Sequence, residues 1–382
     1  MRKKYGHIIW MAMAMLIGMA WSCCSSDDSD EQDVPVTGTP IAFSAKEGEE
    51  TAVNNGGAGA RAYGITRATS LSDNNVTSFT VWGFKNLEYN EGTGVYGGLQ
   101  TVFPGYIVKW IDGSAATTTS NTNGWEYVNQ QTSGDEQTIK YWDFSAKAYR
   151  YFGVTGIAGT DYTANGDNTE FTMTADCSGA TDEAIATNMA NAPFFSHLWF
   201  STGNVSDYPD KQFGKPVQLE FLKPFARVRF LFNYSFAAEG VKVTSPSFKP
   251  TDGTKIARKG TFKVTYPLTG TATSESYTVT KNGSPAVGEA LVAFTEEYIP
   301  EGTEKWYIVL PVLSQGSYTM SVSVNGTAKT AVVPAEYMSW KPGYSYTYIF
   351  KITEEGGVEI DLVQVAVTTW TDMSIVHSVY NW

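Results

Sequence analysis

Few side chains in this sequence could do chemistry. The chain has three cysteines and three histidines. Cys23 and Cys24 are adjacent, whereas Cys177 stands alone in the body of the chain, so no disulfide can close within it. His7 belongs to the N-terminal segment, which leaves His197 and His377, too few for most metal or acid–base sites. No H-E-x-x-H, C-x-x-C or G-x-S-x-G motif occurs, and no glycine loop of the phosphate-cradling kind. Cys177, beside Asp176 and without a histidine nearby in sequence, reads as a small buried apolar residue. "TANGDNTE" (163–170) carries acids and amides near glycine but misses the spacing of a calcium loop, so turn chemistry accounts for it. The reading is a non-enzyme without catalytic residue, metal or cofactor. The chemistry expected is done to the chain, at a thiol.

The thiol comes first. Met1-Arg2-Lys3-Lys4 is basic, and residues 8–21, "IIWMAMAMLIGMAW", carry no charge. As a helix that run is too short for a hydrocarbon layer, which needs about 20 residues. A basic start, a short apolar core and small residues after it predict a secretory signal over 1–22. "AWSC" (20–23) resembles the lipobox of bacterial lipoproteins, in which a cysteine takes lipid and becomes the first residue. Trp21 departs from that pattern, which prefers small residues there, and Cys24 fits less well than Cys23. Cys23 is therefore the expected anchor, each buried CH₂ of its lipid adding about 0.8 kcal/mol of membrane affinity. Residues 23–40, with "SSDDSDEQD", predict a flexible acidic tether. The Ser/Asp run resembles the surface-export signal of some Gram-negative lipoproteins; a plain spacer is the alternative.

The remainder must position whatever the protein presents. Net charge is −12, which disfavours nucleic acid and anionic membrane surfaces as partners. Thr, Val, Tyr, Phe and Gly are plentiful and Leu sparse, which points to strands. Period-two alternation recurs in "FTVWGF" (79–84), "YRYFGV" (149–154), "FARVRFLF" (225–232) and "YSYTYIFKI" (344–352). In the third, Ala226, Val228, Phe230 and Phe232 share one face, opposite Arg227 and Arg229. In the fourth, Tyr344, Tyr346, Tyr348, Phe350 and Ile352 form one stripe, and Phe230 and Tyr346 are expected in core. Asn325-Gly326 between two alternating runs is a hairpin signal, and Asn282-Gly283 a weaker one. Residues 181–191 predict a short helix, and 112–138 a long exposed loop or hairpin tip.

"STGNVSDYPDKQFGKP" (201–216) separates two strand-rich halves. The expected organisation is an N-terminal β-sandwich over 41–210 and a C-terminal one over 211–382, both antiparallel. The chain has 11 Trp and 22 Tyr. Those placed in loops by sequence are Tyr89, Tyr96, Tyr106, Trp110, Trp125 and Tyr127, which would suit a surface that stacks on sugars.

Six blocks in order resemble the fimbrillin family, the subunits of type V pili and their lipoprotein relatives. They are "IAFSA" (41–45) with "ITRATSL" (65–71), "FTVWGF", "YWDFSAKAYRYFGVTG" (141–156), "VQLEFLKPFARVRFLF" (217–232), "YMSWKPGYSYTYIFKIT" (337–353) and "VQVAVTTWTD" (363–372). Lys223-Pro224 stands where relatives often have a histidine. The resemblance implies two transthyretin-like β-sandwich domains, a lipoprotein on the outer-membrane surface, and a structural or adhesive role in a pilus. It also implies a mechanism. An arginine-specific protease cuts between Arg67 and Ala68, with Arg61 the alternative, and removes the first strand. A strand from another subunit fills the groove. The donor expected here is the tail, with Val376, Tyr380 and Trp382 on one face and Ile375 and Val379 on the other. Implied partners are other pilus subunits, the membrane lipid and surface ligands or glycans. The competing reading is a glycan-binding β-sandwich lipoprotein, which would bind a glycan array without polymerising.

Overall fold

The computed structural model describes residues 38–47, 78–110, 125–130, 136–156, 162–164, 166–177, 192–236, 241, 243–253, 258–281, 292–293, 306–312, 316–353 and 359–369. The strands begin with β1 (Phe43–Glu47), β2 (Ser78–Asn90), β3 (Val95–Trp110), β4 (Trp125–Glu126), β5 (Ala148–Val154), β6 (Tyr162–Ala164) and β7 (Asn168–Asp176). They continue with β8 (Phe195–Ser196), β9 (Trp199–Ser201), β10 (Val217–Leu222), β11 (Ala226–Phe236), β12 (Val243–Pro250), β13 (Lys259–Pro267) and β14 (Ser276–Lys281). The last are β15 (Val292–Ala293), β16 (Tyr307–Val309), β17 (Tyr318–Val324), β18 (Thr327–Val333), β19 (Tyr344–Thr353) and β20 (Glu359–Thr369). The architecture is all-β, as the composition predicts.

Four sheets result. An eight-stranded sheet runs β1-β10-β8-β5-β2-β3-β4, with β9 pairing β5 beside that path. Three four-stranded sheets run β14-β13-β7-β6, β16-β11-β19-β20 and β15-β12-β17-β18. Most pairings are antiparallel, but β1 pairs β10 in parallel and β11 pairs β19 in parallel. Parallel neighbours need a long connection, and local alternation carries no sign of one.

The eight-stranded sheet is buried on both faces, which is why every residue of β5 is buried. One face carries Trp82, Phe84, Phe152 and Val154, packed against Phe171 of β7 and Phe262 and Tyr266 of β13. The Phe152 and Tyr266 rings lie parallel, centroids 4.1 Å apart. The other face carries Phe79, Val81, Phe103, Tyr151 and Leu219. A third core joins Phe230, Tyr346, Tyr348 and Phe350 to Phe248, Tyr318 and Met320 across the two remaining sheets. Phe230 and Tyr346 are thus inside, 6% and 3% exposed. Arg227 and Arg229 leave from the opposite face, as the alternation predicts. Their guanidinium groups lie 4.3 and 4.6 Å from the Trp306 ring, and each Nε donates to Ser345 or Thr347.

Three ladders, β7–β13, β1–β10 and β8–β10, join strands from either side of position 210. β7 pairs with β13 along its whole length, and β10 lies between β1 and β8 in the first sheet. Asn325 and Gly326 have φ of 49° and 83° and close the β17–β18 hairpin, as expected. The Asn282-Gly283 turn and the helix expected over 181–191 lie outside the described residues.

Candidate assembly interface

β1 is the edge of the eight-stranded sheet and is joined to it by one ladder, Phe43 opposite Val217 through Glu47 opposite Phe221. Just before it, the chain is held from a second side. Ile41 N–H donates to the Lys140 carbonyl (2.8 Å), and Trp142 N–H donates to the Thr39 carbonyl (3.0 Å). Val217 N–H donates to the Ala42 carbonyl at 2.8 Å. Ile41 and Phe43 are fully buried. The segment therefore fills a slot between β10 and the loop at 140–142.

The slot is aromatic. The Phe43 ring meets Phe103, Tyr127 and Tyr151 edge-on at 5.0, 5.9 and 5.8 Å. Edge-to-face packing of this kind adds about 0.5–1.5 kcal/mol per pair beyond burial. Gly83 of β2 makes the geometry possible. A Cβ there would sit 2.6 Å from Tyr151 and 2.7 Å from Phe103. Without a side chain at 83, both rings lean across β2 toward Phe43. Burial drives the Tyr151 hydroxyl well above its ordinary value.

Two polar groups brace the floor. Tyr127 Oη donates to the Ile41 carbonyl (3.0 Å) and accepts from Lys140 N–H (3.1 Å). Gln137 is fully buried and behaves like a short strand. Its Oε1 accepts from Ile107 N–H (2.6 Å), and its Nε2 donates to the carbonyls of Ile107 (2.8 Å) and Tyr127. Sequence reading placed Gln137, Trp125 and Tyr127 in an exposed loop. Trp125 and Tyr127 are instead 1% and 0% exposed. Tyr106 is also buried, Trp110 and Tyr96 are half-buried, and Tyr89 is exposed. The expected sugar-stacking set is therefore mostly core. A polar glutamine between Glu136 and Thr138 gave no sign that its carboxamide would stand in for backbone.

The loop over β5 is fixed by charge. Lys85 Nζ lies 2.7 Å from Asp143 Oδ2, and Ser145 N–H and Oγ–H both donate to Oδ1. The Lys85 hydrogen bond, then that of Ser145, hold the Asp143 carboxyl down to about 2. Behind the sheet, Arg150 is fully buried without a carboxylate. Its Nε donates to Asn86 (3.2 Å), and Nη1 donates to the carbonyls of Pro267 (3.3 Å) and Ala272 (2.6 Å). The group lies 4.6 Å from the Phe200 ring, and burial lowers it to about 10. Arg150 thereby ties the β13–β14 connection to the first sheet.

Of the other residues singled out by sequence, Cys177 is buried and its thiol is pushed up to about 12 by burial, which leaves it unreactive. His197 Nδ1 lies 2.7 Å from Glu275 Oε1, a pairing sequence did not foresee. Cys23, Arg61, Arg67, Ala68, Ile375, Val376, His377, Val379, Tyr380 and Trp382 lie outside the described residues. Among the described residues, no group of three His, Cys, Asp or Glu side chains could hold a metal, and no helix could cross a membrane.

No family model matches the chain, and no curated protein is significantly similar to it. Several solved structures are similar at low identity. A candidate cell adhesion protein from Bacteroides uniformis is 15% identical with a TM-score of 0.36, over 87% of this chain and 100% of that one. The fimbrial anchor protein from Porphyromonas gingivalis is 11% identical with a TM-score of 0.27, over 87% and 98%. The tip fimbrial protein of the same organism is 8% identical with a TM-score of 0.31, over 77% and 94%.

Proposed function

We propose that this chain is a fimbrillin-type subunit, structural or adhesive, of a surface pilus, delivered to the outer-membrane surface as a lipoprotein through Cys23. The observation that carries the reading is the edge strand β1, which plugs an aromatic slot with Phe43 and, among the described strands, pairs with β10 alone. An edge strand over an apolar slot is replaceable. Its removal leaves the β10 backbone unpaired beside open core, the template that a strand from another chain can fill. Cleavage between Arg67 and Ala68 would separate β1, and the lipid with it, from the rest of the chain. Release from the membrane and opening of the slot would then be one event. The tail with Ile375, Val376, Val379, Tyr380 and Trp382 is the strand proposed to fill the next subunit's slot.

The mass and N-terminal sequence of the protein purified from cells test this directly. The reading expects two forms, one starting at lipidated Cys23 and one starting at Ala68. A single unlipidated form starting elsewhere would contradict both the anchor and the cut.

A further inference from the structure

The His197–Glu275 pair borders a cavity of ≈ 410 Å³ that strand exchange does not use. That volume is in the range of small-molecule sites. The lining comes from the β8–β9 link, Lys211 between β9 and β10, β10 itself, the segment running into β14 and the segment running into β19.

The polar groups of this cavity divide into used and unused. Glu275 is used. Its Oε1 lies 2.7 Å from His197 Nδ1 and its Oε2 accepts from Leu198 N–H at 2.8 Å, with the side chain 7% exposed. Tyr344 is not. It is 5% exposed, and its hydroxyl has no hydrogen-bond partner among the described residues. Its neighbours on the same stripe of β19 are both satisfied. Lys341 N–H donates to Tyr346 Oη (2.7 Å), and Tyr348 Oη donates to the Tyr337 carbonyl (2.8 Å). Buried hydroxyls rarely go without a partner; Tyr344 shares that state with Tyr151 and Thr169 among the described residues, and of the three it is the one that borders this cavity. Beside it, Lys341 Nζ lies 5.9 Å from the Tyr344 ring centroid, and no ion pair engages it among the described residues.

An ammonium only donates, and the Tyr344 phenol hydroxyl can donate as well. One group that accepts from both, and balances the charge, is a carboxylate. Elsewhere the lining offers the hydroxyls of Thr273 and Ser274 and the Glu220 carboxylate, which exchange hydrogen bonds with neutral hydroxyl groups. We propose that this cavity binds a sugar acid, its carboxylate on Lys341 and Tyr344 and its ring hydroxyls toward Thr273, Ser274 and Glu220. The site belongs to the single chain and does not depend on assembly.

Calorimetric titration of the purified monomeric protein with glucuronate and with N-acetylneuraminate tests this. One-site saturable binding of at least one of them is expected, tighter by about tenfold than that of glucose or acetate, each of which lacks half of the determinant. Lys341→Gln should weaken it by about tenfold. Tyr344→Phe should weaken binding while leaving the melting temperature unchanged or higher, because it deletes a hydroxyl that the fold does not use. Comparing N-acetylneuraminate with an oligosaccharide ending in it separates a free solute from a glycan terminus, and a preference for either supports the site. Absence of saturable binding by both acids would overturn the proposal. So would equal binding of glucose and glucuronate, or a Tyr344→Phe protein that binds like the parent.

Discussion

At the scale of single residues, the fold depends on a few large side chains placed with little tolerance. Phe43 is fully buried among three aromatic rings. Phe43→Ala should cost about 3–5 kcal/mol, read as a lower denaturation midpoint, because the slot cannot collapse around rigid rings. Tyr348 is the hub of the third core, accepting from Trp340 Nε1 (2.9 Å) and donating to the Tyr337 carbonyl (2.8 Å). Tyr348→Phe leaves two buried partners unmatched and should cost about 1–3 kcal/mol in the same measurement. Acid should act through carboxylates that folding holds down, Glu275 and Asp143 being the more buried of them. Burial pushes Glu275 up, but the hydrogen bond and charge of His197 and the Leu198 N–H outweigh it, so its value lies below the usual 4.5. Asp143 is held at about 2 against 3.8. Both bind fewer protons folded than unfolded, so their stabilisation is complete above about 4.5 and is lost as pH falls through the folded values. The denaturation midpoint should therefore drop between pH 4.5 and 2, and Asp143→Asn should flatten the lower part of that drop. An unchanged profile in Asp143→Asn would remove the Lys85 pair from the explanation.

At the scale of elements, what the sequence made legible was local. Alternation located β2, β5, β11 and β19, and Asn325-Gly326 located the β17–β18 hairpin, because each signal is carried by neighbouring residues. "IAFSA" was readable as a strand, and β1 covers Phe43–Glu47. Its partner was not readable, since β10 lies far along the chain and pairs with it in parallel. β11 with β19, also parallel, and β7 with β13, antiparallel, are likewise partners far apart in sequence, which local alternation does not pair. The slot itself was missed because its floor is built by Gln137 and Tyr127, in a stretch whose Ser, Thr and Asn content reads as loop. Gly83 is the element-level control point. Gly83→Ala should push Phe103 and Tyr151 apart, costing about 1–3 kcal/mol and loosening β1. Hydrogen exchange should detect it as faster exchange on β1 and β10, with β17 and β18 unchanged; uniform acceleration would mean that the slot is not a local unit.

At the scale of the whole molecule, a chain of net charge −12 presents an acidic surface with one edge strand set in an aromatic slot. On the proposed reading, association waits until β1 has left the slot, because until then the β10 edge is already paired. The central claim is that β1 is a removable plug rather than a permanent strand. Trace trypsin followed by size-exclusion light scattering tests it most directly. Cleavage between Arg67 and Ala68 should yield a ladder of oligomers. The ladder should be absent in Arg67→Ala and in a chain ending at residue 371. A protein that loses its first strand cleanly and remains a folded monomer would contradict strand exchange.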